Sequence, residues 1–115
     1  KGRKVTGGKY NKPRKKKLFE ITGQKRTVKI GEDKRKSLRV MGGNQKVILL
    51  KSNLINISGK SKKTQIKNVL ETPSNRFLAR QNILTKGAIV ETELGKVKIT
   101  NRPTQEGLIN GILIE

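Results

Sequence analysis

The chain has 115 residues, with 28 Lys and Arg against 8 Asp and Glu, for a formal net charge of +20. It contains no Cys and no His, which excludes zinc fingers, thiol nucleophiles, disulfide frameworks and histidine acid–base chemistry. There is no run of about 18 apolar residues to span a bilayer and no apolar signal core at the start, and the length fits one small domain.

Leu, Ile, Val and Phe together number 32 of the 115 residues. That is above the roughly 20% below which disorder is the better expectation, so a small aliphatic core is predicted. With no Trp, one Tyr and two Phe, aromatic stacking cannot be the main binding device. A chain of this charge expects a large anionic partner, and nucleic acid fits best.

Charge and apolar content are segregated. The first forty residues hold 16 basic and 3 acidic side chains, and the remaining 75 hold 12 and 5. Only six of the Leu, Ile, Val and Phe residues precede Ser37. Residues 1–26 therefore read as an extended basic arm, and 27–115 as a folded body. In the arm, Gly7 and Gly8 break regular structure and Pro13 disfavours the α conformation at Lys12. The run Arg14, Lys15, Lys16, Lys17 repels itself and is expected to order on phosphates. Fully extended, such an arm reaches roughly 80 Å.

Beyond the arm the pattern turns to β. TVKI (27–30) and SLRVM (37–41) alternate, Gly42-Gly43-Asn44 signals a turn, and QKVILLK (45–51) follows. NLINIS (53–58), a polar turn at 59–63 and TQIKNVLE (64–71) continue the series. Thr72-Pro73-Ser74-Asn75 is a turn with Pro in a favoured position. Residues 76–86 fit a single helical turn around Phe77–Ala79 or a strand end at Ile83–Leu84. AIVETE (88–93), the Leu94-Gly95 turn and KVKIT (96–100) make a hairpin with one apolar and one basic face. Residues 101–107 read as a loop, and LINGILIE (108–115) closes the chain. The fold class is all-β: a small antiparallel barrel with a basic N-terminal arm.

Other signals have plainer readings. Gly59-Lys60-Ser61 lacks the upstream glycine of a phosphate loop, where Leu54 stands instead. Glu91 and Glu93 could be called a carboxylate pair, but a positive surface holds both ionised, and bonding across the hairpin to Lys96 or Lys98 explains them. Lys46, Lys96 and Lys98 on strand faces serve equally as edge protection or phosphate contacts. Composition alone leaves a DNA-packing protein of chromatin type as the alternative to an RNA binder.

Read in order, GRKVTGG, RKKKLFE, KIGEDKRK, VMGGNQKVILL, NVLETPSNRFLARQNILTKGAIVETELGKVKIT and NRPTQEGLINGILIE resemble the archaeal form of the small-subunit ribosomal protein family "S eight e". The resemblance covers nearly the whole chain, and NILTKGAIVETELGKVKIT is its most specific part. Met41 and Gln81 depart from it, standing where the family often carries Arg. The chain begins at Lys1 within what resembles a longer basic leader, so a few leading residues are expected to precede it. The resemblance implies a cytoplasmic, structural role on small-subunit ribosomal RNA beside neighbouring ribosomal proteins. It implies no enzymatic activity, cofactor, metal, membrane, small-molecule substrate or homo-oligomer. The candidate RNA-binding residues are Arg3, Lys4, Lys9, Lys12, Arg14, Lys15, Lys16 and Lys17 in the arm proper, then Lys25 and Arg26 where it meets the body. On the body they are Lys34, Arg35, Lys36, Arg39, Lys46, Arg76, Arg80, Lys86 and Arg102. Recognition is expected through backbone and shape.

Overall fold

A computed structural model describes residues 2–23, 25–59 and 63–114. Lys60, Ser61 and Lys62 of the expected 59–63 turn lie outside the described residues, as do Lys1, Gln24 and Glu115. After the arm come β1 (Val28–Lys29), β2 (Lys34–Arg39), β3 (Gln45–Lys51), β4 (Leu54–Ile57) and β5 (Lys63–Glu71). Helix α1 (Arg76–Arg80) precedes β6 (Ile83–Leu84), β7 (Ile89–Thr92) and β8 (Gly95–Ile99); α2 (Pro103–Glu106) and β9 (Asn110–Leu113) end the chain. Strands dominate, as expected.

Five strands close into a barrel in the order β4-β5-β7-β8-β9, and the other four form a sheet in the order β2-β3-β1-β6. Most pairs are antiparallel, but β4 runs parallel to β9 and β1 parallel to β3. The first exception follows from arithmetic: strand directions around a ring of five cannot alternate throughout, so one seam must be parallel. Here that seam joins Asn56 to Asn110 and Ile57 to Gly111.

Side-chain alternation fills the barrel. In β8, Val97 and Ile99 are buried while Lys96 and Lys98 point outward; in β7, Val90 and Thr92 face in and Glu91 faces out. Strand β5 breaks the period: Thr64 and Ile66 are buried, but the next buried residue is Val69. Register shifts on either side of Asn68 and Val69 absorb the extra residue, and Asn68 Oδ1 accepts the Val69 N–H at 2.9 Å. A bulge of this kind re-aims the following side chain inward. Val28, Leu49 and Leu84 of the open sheet share one aliphatic cluster with Ile55, Val90, Val97 and Ile99 of the barrel. The two sheets thus rest on a single core.

Three expectations are refined. Strand β2 starts at Lys34 rather than Ser37 and stops before Met41, because Gly42 and Gly43 at φ +76° and +75° form a tight turn. Residues 76–86 hold both alternatives in succession: α1, capped by Asn75 Oδ1 accepting from Phe77 N at 3.1 Å, then β6. The expected loop at 101–107 contains α2, with Pro103 in its first turn and Gly107 ending it at φ +75°. Pro at the start and Gly at the end are the ordinary punctuation of a short helix.

Barrel closure depends on Gly111. A Cβ there would stand 2.5 Å from Val97 Cγ1, 2.8 Å from the Lys98 carbonyl oxygen and 3.0 Å from Ile55 Cδ1. Gly111→Ala is expected to lower stability by about 1–3 kcal/mol through overpacking. Adding Val97→Ala should leave the double variant less destabilised than the sum of the two single changes. Thermal melting followed by circular dichroism checks this, and an unchanged melting temperature for Gly111→Ala would refute the close approach.

Candidate nucleic-acid interface

The arm leaves the body as a long projection. The radius of gyration is 20.8 Å and the extents are 71 × 35 × 23 Å, whereas a compact chain of this length would have a radius near 13 Å. Full extension is not reached, because two local turns shorten the arm. In the first, Gly7 at φ +87° lets Lys4 N bond to Gly8 O at 3.0 Å, and Arg3 Nη1 donates to Gly7 O at 3.0 Å. Arg3 and Lys9 form a β-bridge, and the Lys4 ammonium stands 5.9 Å from the Tyr10 ring centroid, within cation–π range. The second turn is the 3-10 turn Leu18–Glu20. Glu20 Oε1 accepts from Arg14 at 2.8 Å, and Oε2 accepts from Lys17 N at 3.0 Å. Lys12, Lys15, Lys16 and Lys17 are exposed.

On the body, the four cations of β2, Lys34, Arg35, Lys36 and Arg39, are all exposed. Arg35 also bonds within the fold: its Nε donates to Gly107 O at 2.7 Å, and its guanidinium meets Asp33 at 3.5 Å. Asp33 also accepts from Ser52 Oγ at 2.7 Å. Lys46 is half-buried and donates to Gln105 Oε1. These two cations therefore fasten α2 and the segment after it to the β2–β3 ribbon. Arg76 and Arg80 stand exposed on α1. Lys96 lies opposite Glu91 in the β7–β8 register, so the cross-hairpin explanation of that acid fits the geometry.

Four of the candidate cations, far apart in sequence, converge. Lys25, Arg26, Lys86 and Arg102 line one cleft of about 500 Å³, together with Leu78, Ile83, Leu84 and Pro103. The cleft lies where the end of the arm, α1, β6 and the start of α2 meet. Sequence reading places each cation on the surface but does not reveal the convergence, which is made by the tertiary fold. The available signal was the RPTQEG string at 102–107, whose Pro and Gly mark α2 and hence one cleft wall.

Residues 1–114 match the sequence profile of the family "Ribosomal protein S8e". The "Small ribosomal subunit protein eS8" of Nanoarchaeum equitans is 48% identical over 117 residues, covering 98% of this chain and 92% of that protein. Proteins of the same name from Staphylothermus marinus and Methanosarcina barkeri are 47% and 44% identical, each over 98% of this chain and over 92% and 94% of their own lengths. These relatives give no support to the chromatin-type alternative.

The Arg14–Glu20 turn yields a pH prediction. The Arg14 guanidinium, and then the Lys17 N–H, hold the Glu20 carboxyl below its ordinary range. A lowered value means that the turn is favoured while Glu20 is ionised and loses this support as pH falls through that value. An NMR titration of the Glu20 side chain and the Lys17 amide should show a shared midpoint below that of an ordinary glutamate. Raised salt should move the midpoint back up. A midpoint at or above the ordinary value would contradict the pairing.

Sequence profile and relatives agree: the chain belongs to the ribosomal protein S8e family and is a structural component of the ribosome rather than an enzyme.

Proposed function

We propose that this chain is a cytoplasmic constituent of the small ribosomal subunit that binds ribosomal RNA by neutralising phosphates. Residues 1–26 serve as an arm that enters between RNA segments, and residues 27–115 dock as a body on the RNA surface beside neighbouring ribosomal proteins. The observation that carries this reading is the arm's unbalanced charge. The one carboxylate in residues 2–23 is Glu20, and it is committed to Arg14. Lys12, Lys15, Lys16 and Lys17 have exposed side chains along a projection too thin to bury them. Each ammonium that meets a phosphate releases condensed counterions, and this favours binding. RNA folded on itself supplies the dense phosphate that such an arm needs. The scarcity of aromatics leaves shape and backbone as the main features to be read.

Replacing Lys12, Lys15, Lys16 and Lys17 by Gln in the full chain should weaken binding to small-subunit ribosomal RNA. The plot of log affinity against log salt should become shallower by about 3. An unchanged slope would show that these side chains meet no phosphate. Equal affinity for random-sequence duplex DNA and for folded ribosomal RNA would count against a ribosomal role.

A further inference from the structure

We propose that the cleft between the arm's end, α1, β6 and α2 receives one unpaired nucleotide extruded from the bound RNA, with its base on the apolar floor and its flanking phosphates on the cationic rim. The inference rests on the RNA-binding reading and adds a specific site to it.

The rim and the floor have different chemistry. Lys25, Arg26, Lys86 and Arg102 form the rim, and no carboxylate lines the cleft. None of these four side chains has an ion-pair or hydrogen-bond partner among the described residues. Four cations drawn together without a counter-charge repel one another, and the fold supplies no compensation. A nucleotide brings its ionised phosphates together with a flat base for the apolar lining, whereas an acidic peptide brings carboxylates without such a face. The observations therefore favour nucleic acid over protein as the occupant.

The floor then separates unpaired from paired RNA. Ile83 and Leu84 are 4% and 1% exposed, and Leu78 and Pro103 complete an apolar recess. A duplex keeps its base faces stacked inside and offers a protein only its backbone and base edges, which leave an apolar recess unfilled. An extruded base offers a flat face of the right character together with polar edges. The volume of about 500 Å³ lies in the range of small-ligand pockets. Extrusion costs least where the nucleotide is already unpaired, so a bulge or loop is the expected source.

The test uses the full chain and two synthetic RNA hairpins that are identical except for a single bulged adenosine. Fluorescence anisotropy should show the bulged hairpin binding about tenfold tighter, by the burial of one base against aliphatic side chains. The methyl resonances of Leu78, Ile83 and Leu84 should shift with the bulged hairpin and not with the paired one. Leu78→Gln leaves the charge unchanged and should abolish the preference while keeping the affinity for the paired hairpin. Equal binding of both hairpins with unmoved methyls would overturn the cleft assignment and leave the RNA-binding reading standing. Equal methyl shifts with inorganic phosphate alone would mark a plain anion site and overturn it too. Binding of neither hairpin, even at low salt, would defeat the RNA-binding reading and the cleft with it.

Discussion

Twenty unbalanced positive charges have to be arranged around a core that is small and wholly aliphatic. A unit charge cannot enter such a core without a partner, and the chain has few acids to supply one. The fold meets this constraint by alternation and projection. Barrel strands turn Val and Ile inward and Lys outward, as in β8, and a block of cations is carried off the body on the arm. Acids are used sparingly and locally: Glu20 holds Arg14, and Asp33 holds Arg35 while accepting from Ser52. Exposed pairs of this kind contribute little stability. Their service is to shape turns and loops that would otherwise be pushed apart by like charge. What is left over is positive, exposed and in need of a polyanion.

Barrel closure turns that excess into a defined surface. A ring of five strands requires one parallel seam, and β9 provides it by lying across both β4 and β8 with Gly111 at the closest approach. The link from β8 to its antiparallel neighbour β9 is long enough to hold a helix. Helix α2 lies on that path and packs on β3, held by Lys46 through Gln105 and by Arg35 through the Gly107 carbonyl. Its position sets Arg102 on the same cleft as Lys86, while β6, paired with β1, brings the end of the arm to the same place. Two of the cations counted as surface charge thus position other cations.

Much of this was legible in the residues themselves. The β7–β8 hairpin follows from strict alternation around Leu94-Gly95, and the 72–75 turn from Thr-Pro-Ser-Asn chemistry. The resemblance to a ribosomal family rested on motifs spread along the whole chain, and the full-length profile match agrees. The failures share a cause. The bulge in β5 is invisible to a period-2 reading because Val69 falls out of phase until Asn68 takes up the extra residue. Helix α2 is four residues long, too short for periodicity to register, although its Pro and Gly punctuation was present. The commitment of Arg35 and Lys46 to internal bonds, and the meeting of Lys25 and Arg26 with Lys86 and Arg102, depend on contacts between distant segments. No local pattern encodes such contacts.

We propose that the charge of this chain is matched to the RNA of the small ribosomal subunit. Sucrose-gradient sedimentation of native cell extract at moderate and high salt, with the chain detected by mass spectrometry, addresses it most directly. The account predicts stoichiometric recovery with the small subunit that survives a moderate salt wash and is lost only as phosphate contacts are screened. Recovery with DNA, or in light fractions free of the subunit, would contradict it.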